Sequence, residues 1–491
     1  MSSIQITALV IILLYMAATV ALGVFVSSRK KSKEAQSNDD FLMASKSLGP
    51  VVLAGTLFAA NTGGASTTGI ATNVYTYGLS AAWYVIAAGI GFVLVAQIAP
   101  FFRKAQANTV PEIISKRYGK ASHIFTAFTS IAALFLATGA QIIATASVIN
   151  VVTGLEFDIA AVITTIVVIA YTMVGGFKSV TAANLMHVLF ITVGMTIALF
   201  IMIANPQVGG FGELFAKAET ITGAQGESLD LLSMTKIGLP TIIGYIAMYY
   251  MTFPTGQEIV QTFCSAKDGK AAMTGSILAG VVSAVYAIVP ALIGLIAYTC
   301  IDGYALAGAQ KNALAEATIR FAPSIVAGLV LAAIVAATMS SASGNMIGTA
   351  TMFTNDVFVP YINKGVKDDK KEVWISRVTM VVVGAVGLVV ALVASNVISV
   401  MMGAFALRSA GPFAAFICGL FYKNVTQRAG FISIVAGTVV GAIWIYGLNR
   451  PWGLSAMVPG GIVAFVVIFV VSKIERSSGV PAAPEIKFEE D

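Results

Sequence analysis

The stretch FAANTGGA, residues 58–65, interrupts an apolar segment that runs from about 49 to 73. An asparagine, a threonine and two glycines stand where a membrane-spanning helix would carry apolar side chains. A second apolar segment, about 237–263, is interrupted in its middle by YYMTFPTGQ, residues 249–257. Backbone that leaves the helix at membrane depth must be shielded from lipid, because its polar groups would otherwise lose their hydrogen bonds. The two stretches therefore predict broken helices that line a cavity within the protein.

The composition of the whole chain supports a membrane location for these segments. Of its 491 residues, 57% are hydrophobic and 11% are charged, and its mean hydropathy is +0.88. Soluble domains carry about 25% charged residues. We predict an all-α integral membrane protein with about thirteen transmembrane helices. The predicted spans 1 to 13 are 4–27, 49–73, 78–102, 122–152, 157–175, 182–204, 237–263, 272–300, 323–352, 373–395, 397–422, 428–447 and 453–473.

The distribution of basic residues predicts the orientation of these spans. Lysines and arginines are concentrated in alternate loops, at 29–46, 103–120 and 364–377, and in the tail at 473–487. Loops rich in Lys and Arg stay on the cytoplasmic side of a membrane. We therefore expect a multi-pass protein of the cell membrane, with its N-terminus outside and its C-terminus in the cytoplasm. The tail after Arg476 is polar and contains prolines, which predicts disorder.

The two interrupted spans, 2 and 7, lie five spans apart. Spans 2–6 and 7–11 would then form two units of five helices, and the odd number inverts the second unit relative to the first. This is the five-plus-five inverted-repeat plan of many secondary transporters. The predicted organisation is a first helix with its basic loop at 1–48, a first repeat at 49–204, an extracellular loop at 205–236, a second repeat at 237–422, two C-terminal helices at 423–475 and a cytoplasmic tail at 476–491.

Polar side chains also lie within span 9, in AATMSSASGNM, residues 336–346. Ala337, Ser340 and Ser341 fall on one face of a helix. Hydroxyl oxygens together with backbone carbonyls suit a monovalent cation, and a bend at Ala337 would release its carbonyl. Carbonyls released in the break of span 2 would complete the shell. The alternative is that the serines bond back to carbonyls of their own helix or join neighbouring helices.

Several short motifs resemble those of the sodium/solute symporter family. They are SLGP at 47–50, GGF at 175–177, QEIVQ at 257–261, AATMSS at 336–341, FTND at 353–356 and GLFYK at 419–423. The resemblance runs from about residue 40 to 430, and it implies a leucine-transporter-like core with sodium as the coupling ion and no other cofactor. The family binds its coupling sodium with the span-9 motif and the span-2 break. Carried over to this chain, the implied sodium ligands are Ala59, Thr62, Ala337, Ser340 and Ser341.

The sequence departs from the family pattern at two positions. Many members have an aspartate where this chain has Asn61, and another in the region where this chain has Asn184. A neutral amide offers an oxygen but no charge, and Gly344 adds no side-chain oxygen after the serine pair. We therefore expect one coupling cation. A proton-coupled or an uncoupled carrier is the alternative.

An arginine at membrane depth bears on the class of substrate. Arg408 lies near the middle of span 11, where a charge is costly unless it is paired or hydrated. Its guanidinium could bind a substrate carboxylate with two hydrogen bonds. Alternatively, it could form a structural ion pair with Glu258 or bind carbonyls freed at Gly411 and Pro412. The first interpretation favours an organic anion, an amino acid or a similar carboxylate-bearing solute.

The remaining candidate substrate residues belong to the broken helices or to aromatic clusters beside them. They are Asn61, Gly63, Trp83, Tyr250, Phe253 and Gln257. The sequence predicts sodium-coupled symport of a small organic solute across the bilayer, and a channel or a membrane sensor is the alternative from another class. No nucleophile–base pair, nucleotide loop or metal cluster indicates an enzyme. The net charge of +6 follows from the basic cytoplasmic loops and does not indicate nucleic-acid binding, and the oligomeric state stays open.

Overall fold

A computed structural model describes residues 3–28, 48–104, 109–223, 225–394 and 396–486, with the backbone alone at 20, 22–28, 171 and 174–185. Within these ranges the chain is helical, and extended pairing is limited to two isolated bridges. Eight helices in the described part are long and apolar enough to cross a membrane, or nine when one bent pair counts as a single span. The chain is thus an all-α, multi-pass membrane protein, and the count of thirteen spans stays a prediction. The basic loop at 29–46, Ser47 of the SLGP motif and the side chains of the GGF motif and of Asn184 lie outside this description.

The helices of the first half follow the predicted spans with one difference. The helical pattern does not break between spans 5 and 6, where the sequence predicted a loop at about 176–181. This stretch contains no proline, which would have ended the helix. The helices are Ser3–Ser28; Pro50–Asn61, the π-helical turn Ala65–Gly69 and Ile70–Tyr77; the 3-10 turn Gly78–Ala82, Trp83–Val95 and Ala99–Lys104; Val110–Thr153; Phe157–Leu189; and Phe190–Gly194 with Met195–Ile203.

The second half begins after a loop that contains the short helix Gly210–Thr220. Span 11 is bent by 44° between its two helices, because Pro412 lacks the N–H that would continue the first one. The helices are Leu239–Thr252 and Gln257–Cys264; Gly269–Tyr286 and Ile288–Cys300; Ala313–Phe321; Ser324–Met352 with the π-helical Phe353–Ile362; Asp369–Val393; Val397–Ser409 and Pro412–Phe421; Gln427–Ala442 with Ile443–Gly447; and Met457–Ser477.

The break predicted in span 2 is confirmed. The helix Pro50–Asn61 ends at Thr62, whose φ of −96° and ψ of 73° are not helical. A β-carbon on Gly63 would lie 2.4 Å from Oε1 of Gln141, and one on Gly64 would lie 2.2 Å from Cβ of Ala144. The two glycines therefore allow the helix Val110–Thr153 to approach the broken backbone more closely than any other residue type would.

The break predicted in span 7 is confirmed as well. The helix Leu239–Thr252 passes into a 3-10 turn, Phe253–Thr255, and the chain is extended at Gly256, with φ −87° and ψ 117°. Pro254 has no backbone N–H and clashes with the preceding turn of an α-helix, so the helix cannot continue through it. It resumes at Gln257.

The helices pack as two groups that face each other. In one group, Val110–Thr153 packs against Ser324–Met352, Asp369–Val393 and Val397–Ser409. In the other group, the Gly269–Tyr286 helix packs against Pro50–Asn61 and Trp83–Val95, and Leu239–Thr252 packs against Trp83–Val95. Both broken helices belong to the second group. Their interruptions therefore face the helices of the first group across a cavity.

The predicted disorder of the tail is wrong for the part that the structure describes, which ends at residue 486. The guanidinium of Arg117, only 2% exposed, donates to the carbonyls of Pro484 at 2.8 Å, Ala483 at 3.2 Å and Tyr422 at 3.0 Å. The N–H of Ala483 in turn donates to the carbonyl of Val425 at 2.7 Å. A buried arginine needs acceptors, and this proline-containing tail supplies carbonyls with few competing N–H groups. The tail is therefore held against the helix ends.

Candidate functional site

A narrow cavity lies between the two helix breaks and the intact helices that face them. Its wall includes Asn61 and Gly63 from the first break and Phe253 and Glu258 from the second. The other lining residues are Ala60, Ala65, Ser66, Tyr84, Ala137, Gln141, Ile259, Ser341, Asn345, Met401, Phe405 and Arg408. The structure thus brings together the FAANTGGA stretch, the region following Pro254 and the AATMSS motif, which are far apart in the sequence.

Two hydroxyls near the first break lack hydrogen-bond partners. The Oγ1 of Thr62 and the Oγ of Ser341 are both shielded from solvent, and no group in the described part of the chain bonds to either. The threonines Thr338, Thr349 and Thr351 on the same helix as Ser341 each bond back to a carbonyl four residues earlier, at 2.8–2.9 Å. Buried polar atoms without partners are rare in native proteins. Each of these two oxygens therefore has lone pairs free to bind a cation.

The other three implied sodium ligands lie on the same two helices. Ala59 lies in the last turn of Pro50–Asn61, where the carbonyls of a helix lack an N–H four residues ahead. Ala337 and Ser340 are buried within Ser324–Met352, which stays helical throughout. No bend releases the carbonyl of Ala337, so this oxygen could offer a cation only its second lone pair.

Gln141 is a site residue that the sequence analysis missed. Its Oε1 accepts a 2.7 Å hydrogen bond from the N–H of Gly64, which the helix break leaves without a helical partner. One turn further along the same helix, Thr145 bonds to Thr338 at 2.6 Å. The one feature of the sequence that could have revealed this role is that Gln141 is the single glutamine within the apolar span 4. Gln141 therefore fixes the broken backbone against the intact group of helices.

Arg408 forms an ion pair with Glu258 in the wall of the cavity. Its Nη2 lies 2.7 Å from Oε1 and its Nη1 lies 2.9 Å from Oε2, so the pair has two parallel hydrogen bonds. The Nε donates to Oγ1 of Thr252 at 3.1 Å, and the guanidinium lies 5.0 Å from the ring centre of Phe405. This is the structural ion pair that the sequence left as an alternative, and it neutralises the arginine locally.

Hydroxyls on the two bent helices extend this network. Ser409 donates to Thr252 at 3.1 Å and bonds to Thr255 at 2.7 Å. A β-carbon on Gly256 would lie 2.8 Å from Nη2 of Arg408. The break in span 7 thus leaves room for the guanidinium, and the break and the bend in span 11 are held together by charged and hydroxyl groups.

Three candidate substrate residues do not line the cavity. The indole of Trp83 donates to the carbonyl of Met234 in the loop at 205–236, at 3.0 Å, and the next residue, Tyr84, lines the cavity instead. Tyr250 packs edge-on against Phe413, 5.3 Å between ring centres. The Oε1 of Gln257 accepts from the N–H of Val110 at 3.1 Å and thereby joins the two groups of helices. Asn61, Gly63, Phe253 and Arg408 do line it.

Comparison with known proteins gives the family. A sequence model of the sodium:solute symporter family matches residues 41–437. The chain belongs to this family. It is therefore a sodium-coupled symporter of a small solute, a membrane transporter and not an enzyme.

Individual relatives of this symporter are distant but cover most of the chain. A sodium/glucose cotransporter of Vibrio parahaemolyticus is 26% identical, over 86% of this chain and 82% of the relative. A sodium/proline symporter of Staphylococcus aureus is 24% identical, over 91% of this chain and 90% of the relative. Two relatives with different named solutes at similar identity do not favour one substrate over the other.

Solved structures show the fold of the symporter. The substrate-bound, outward-open structure of a Na⁺-coupled sialic acid symporter superposes with a TM-score of 0.78 at 20% identity, covering 98% of this chain and 99% of that one. The structure of MhsT with L-phenylalanine superposes with a TM-score of 0.54 at 14% identity, covering 86% and 97%. The fold is thus of the leucine-transporter type, as the family resemblance implied.

Proposed function

We propose that the symporter takes up a small solute carrying both a carboxylate and a positive group, as an amino acid does, together with one sodium ion. The sequence favoured a carboxylate-bearing solute because of Arg408. The observation that carries the finer proposal is the Arg408–Glu258 pair in the cavity wall. A zwitterion can meet each charge of the pair with the opposite one, whereas a simple organic anion also faces the Glu258 carboxylate.

The sodium ligands in this proposal are Ala59, Thr62, Ala337, Ser340 and Ser341. The unpartnered hydroxyls of Thr62 and Ser341 support this assignment, because both oxygens have lone pairs free to bind a cation. A site of neutral oxygens also fits a weakly held coupling ion, which must leave again on the other side of the membrane. The buried Nδ2 of Asn61 likewise lacks a partner and could donate to a solute carboxylate in the cavity.

We also propose that the N-terminus lies outside and the C-terminus in the cytoplasm. The support is the concentration of basic residues at 103–120, at 364–377 and in the tail. A reporter enzyme that is active only in the cytoplasm, fused after residue 486, should be active. The same reporter inserted in the loop at 205–236 should be inactive, and the opposite pattern would reverse the orientation.

The experiment that tests the solute class is a thermal-shift screen of the purified protein with and without sodium. L-Proline, its amide and its N-acetyl derivative form a suitable first set, since each derivative removes one charge. We expect an amino acid to raise the melting temperature only with sodium, and both derivatives of that amino acid to lose the effect. Equal stabilisation by a monocarboxylate without an amino group would contradict the zwitterion proposal. Uptake that ignores sodium and follows a pH gradient would contradict sodium coupling.

A further inference from the structure

A second cavity lies behind the helices that line the first one. It is a groove between the helices Val110–Thr153, Asp369–Val393 and Val397–Ser409 and the turn that follows Gln427–Ala442, with a cavity volume of about 450 Å³. Its walls are mostly apolar. They are formed by Leu136, Val390, Val393, Val400, Ile445 and Tyr446.

The groove opens at the outer surface of the helix bundle. Two residues that line it are exposed, Val393 by 81% and Tyr446 by 66%, and Trp452, two residues after the lining residue Arg450, is 80% exposed. Trp452 lies 6.0 Å from Trp444 between ring centres, and the Trp444 indole donates to the carbonyl of Leu454. Tryptophan and tyrosine concentrate at the level of the lipid headgroups. The groove therefore opens toward hydrocarbon, with its aromatic end near the membrane surface.

Two cations stand at the rim of the groove, and neither contacts a carboxylate within the part of the chain that the structure describes. Arg450 lines it, and the contact of its guanidinium within the described chain is with Sδ of Met402, at 3.3 Å. Lys311 donates to the carbonyl of Ala394, which also lines the groove, at 3.1 Å. Burial lowers the pKa of Lys311, and the more distant Asp158 acts in the opposite direction. An anion at the rim would offset the cost of holding both charges there.

We propose that this groove is a binding site for one anionic phospholipid. An acyl chain fills the apolar part, and the phosphate of the headgroup meets Arg450 and Lys311. The charges at the rim favour one class of lipid, because two cations attract an anionic headgroup, whereas a zwitterionic headgroup brings its own cation to the same place. The apolar walls argue against free phosphate as the ligand, because phosphate alone would leave most of the groove unfilled.

The groove and the solute cavity lie on opposite sides of the same helices, so a lipid bound in the groove could influence the cavity. Leu136 lines the groove while Ala137, the next residue, lines the cavity. On the helix Val397–Ser409, Val400 likewise lines the groove and Met401 lines the cavity. A bound acyl chain would thus support the outer side of the two helices whose inner sides form the wall of the cavity.

Native mass spectrometry of the purified, delipidated full chain tests the proposal. Phosphatidylglycerol or phosphatidylcholine is titrated into the wild type, Arg450→Gln, Lys311→Gln and the double variant. Lys217→Gln is the matched control, because Lys217 is an exposed lysine that pairs with Glu213 at 3.8 Å in the loop helix. Val400→Trp fills the groove and keeps both cations, so it tests the acyl-chain part even if a charge variant folds poorly.

We expect one phosphatidylglycerol to bind the wild type more tightly than phosphatidylcholine. Each removed cation should weaken its binding about fivefold, Val400→Trp should abolish it, and Lys217→Gln should leave it unchanged. Equal binding of the two lipids, an unaffected double variant, or the same loss in Lys217→Gln would overturn the proposal. Displacement of the lipid by inorganic phosphate alone would overturn the role of the acyl chain.

Discussion

Arg408 and Glu258 meet across the bend of one helix and the break of another. The two hydrogen bonds of the pair, at 2.7 and 2.9 Å, join the Val397–Ser409 helix to the start of Gln257–Cys264. The arginine is 3% exposed and the glutamate 19%. Because the pair lies in the cavity wall, it both holds two interrupted helices together and sets the charge that a solute meets.

Removing one partner of this pair should cost more than removing both. Arg408→Gln leaves Glu258 buried without a counter-charge, and we expect a loss of about 3–5 kcal/mol in stability. Arg408→Gln combined with Glu258→Gln should recover most of the melting temperature. Arg320→Gln is the control, since that exposed arginine pairs with Glu316 at 3.7 Å and should shift the melting temperature little. A double variant no more stable than Arg408→Gln would contradict a simple ion pair.

The unpartnered hydroxyls should determine sodium affinity. Thr62→Val and Ser341→Ala each remove one oxygen from the proposed shell, so the sodium concentration for half-maximal thermal stabilisation should rise roughly tenfold. Ser147→Ala is the control, because its hydroxyl bonds back to the carbonyl of Ile143 at 2.8 Å. If both variants respond to sodium as the wild type does, the ion lies elsewhere.

Sodium dependence should follow a single-site curve. Asn184 carries no charge and Gly344 no side-chain oxygen, so the Hill coefficient for sodium in uptake should be close to one. A coefficient near two would reveal a second ion. The buried Oγ of Ser343, which also lacks a partner in the described chain, would then be the first ligand to test with Ser343→Ala.

The first helix break should not tolerate a β-carbon. Gly64→Ala would place a methyl group 2.2 Å from Cβ of Ala144, and we expect a strongly destabilised protein without sodium binding. Adding Ala144→Gly should restore part of both, as judged by melting temperature and sodium titration. Gly49→Ala, where a β-carbon meets nothing within 4 Å, should behave as the wild type. A stable Gly64→Ala protein with normal sodium binding would mean that the helices are less closely packed.

The docked tail should stabilise the fold. A chain that ends at Gly479 removes the carbonyls of Ala483 and Pro484 from the buried Arg117 guanidinium, and an unsatisfied group of this kind costs about 1–3 kcal/mol or more. A chain that ends at Ile486 keeps all the described tail contacts and serves as the control. Equal melting temperatures for the two would show that the tail contributes nothing.

The sequence by itself determined the class of the fold and the location of its breaks. Long apolar segments span a bilayer as helices, because each backbone N–H and C=O group must find its hydrogen bond within the segment. For the same reason, Thr62-Gly63-Gly64 and Pro254 within two such segments had to mark interruptions. The AATMSS motif added the sodium hypothesis, since hydroxyls on one helix face are a local property that spacing reveals.

Only the tertiary structure decided which side chains meet. Arg408 could have faced a solute, a carbonyl or Glu258, and 150 residues separate it from that glutamate. Gln141 and the docking of the tail on Arg117 were not predicted either, because both depend on backbone groups that become available only when distant helices pack. Trp83, Tyr250 and Gln257 were candidates for the substrate site because of their positions in the sequence. In the structure, Trp83 contacts a loop, Tyr250 packs on a neighbouring ring, and Gln257 bonds to the start of another helix. Periodicity shows which residues share a face of one helix. The partners that a side chain reaches within a bundle depend on the space and the polar groups that the neighbouring helices provide.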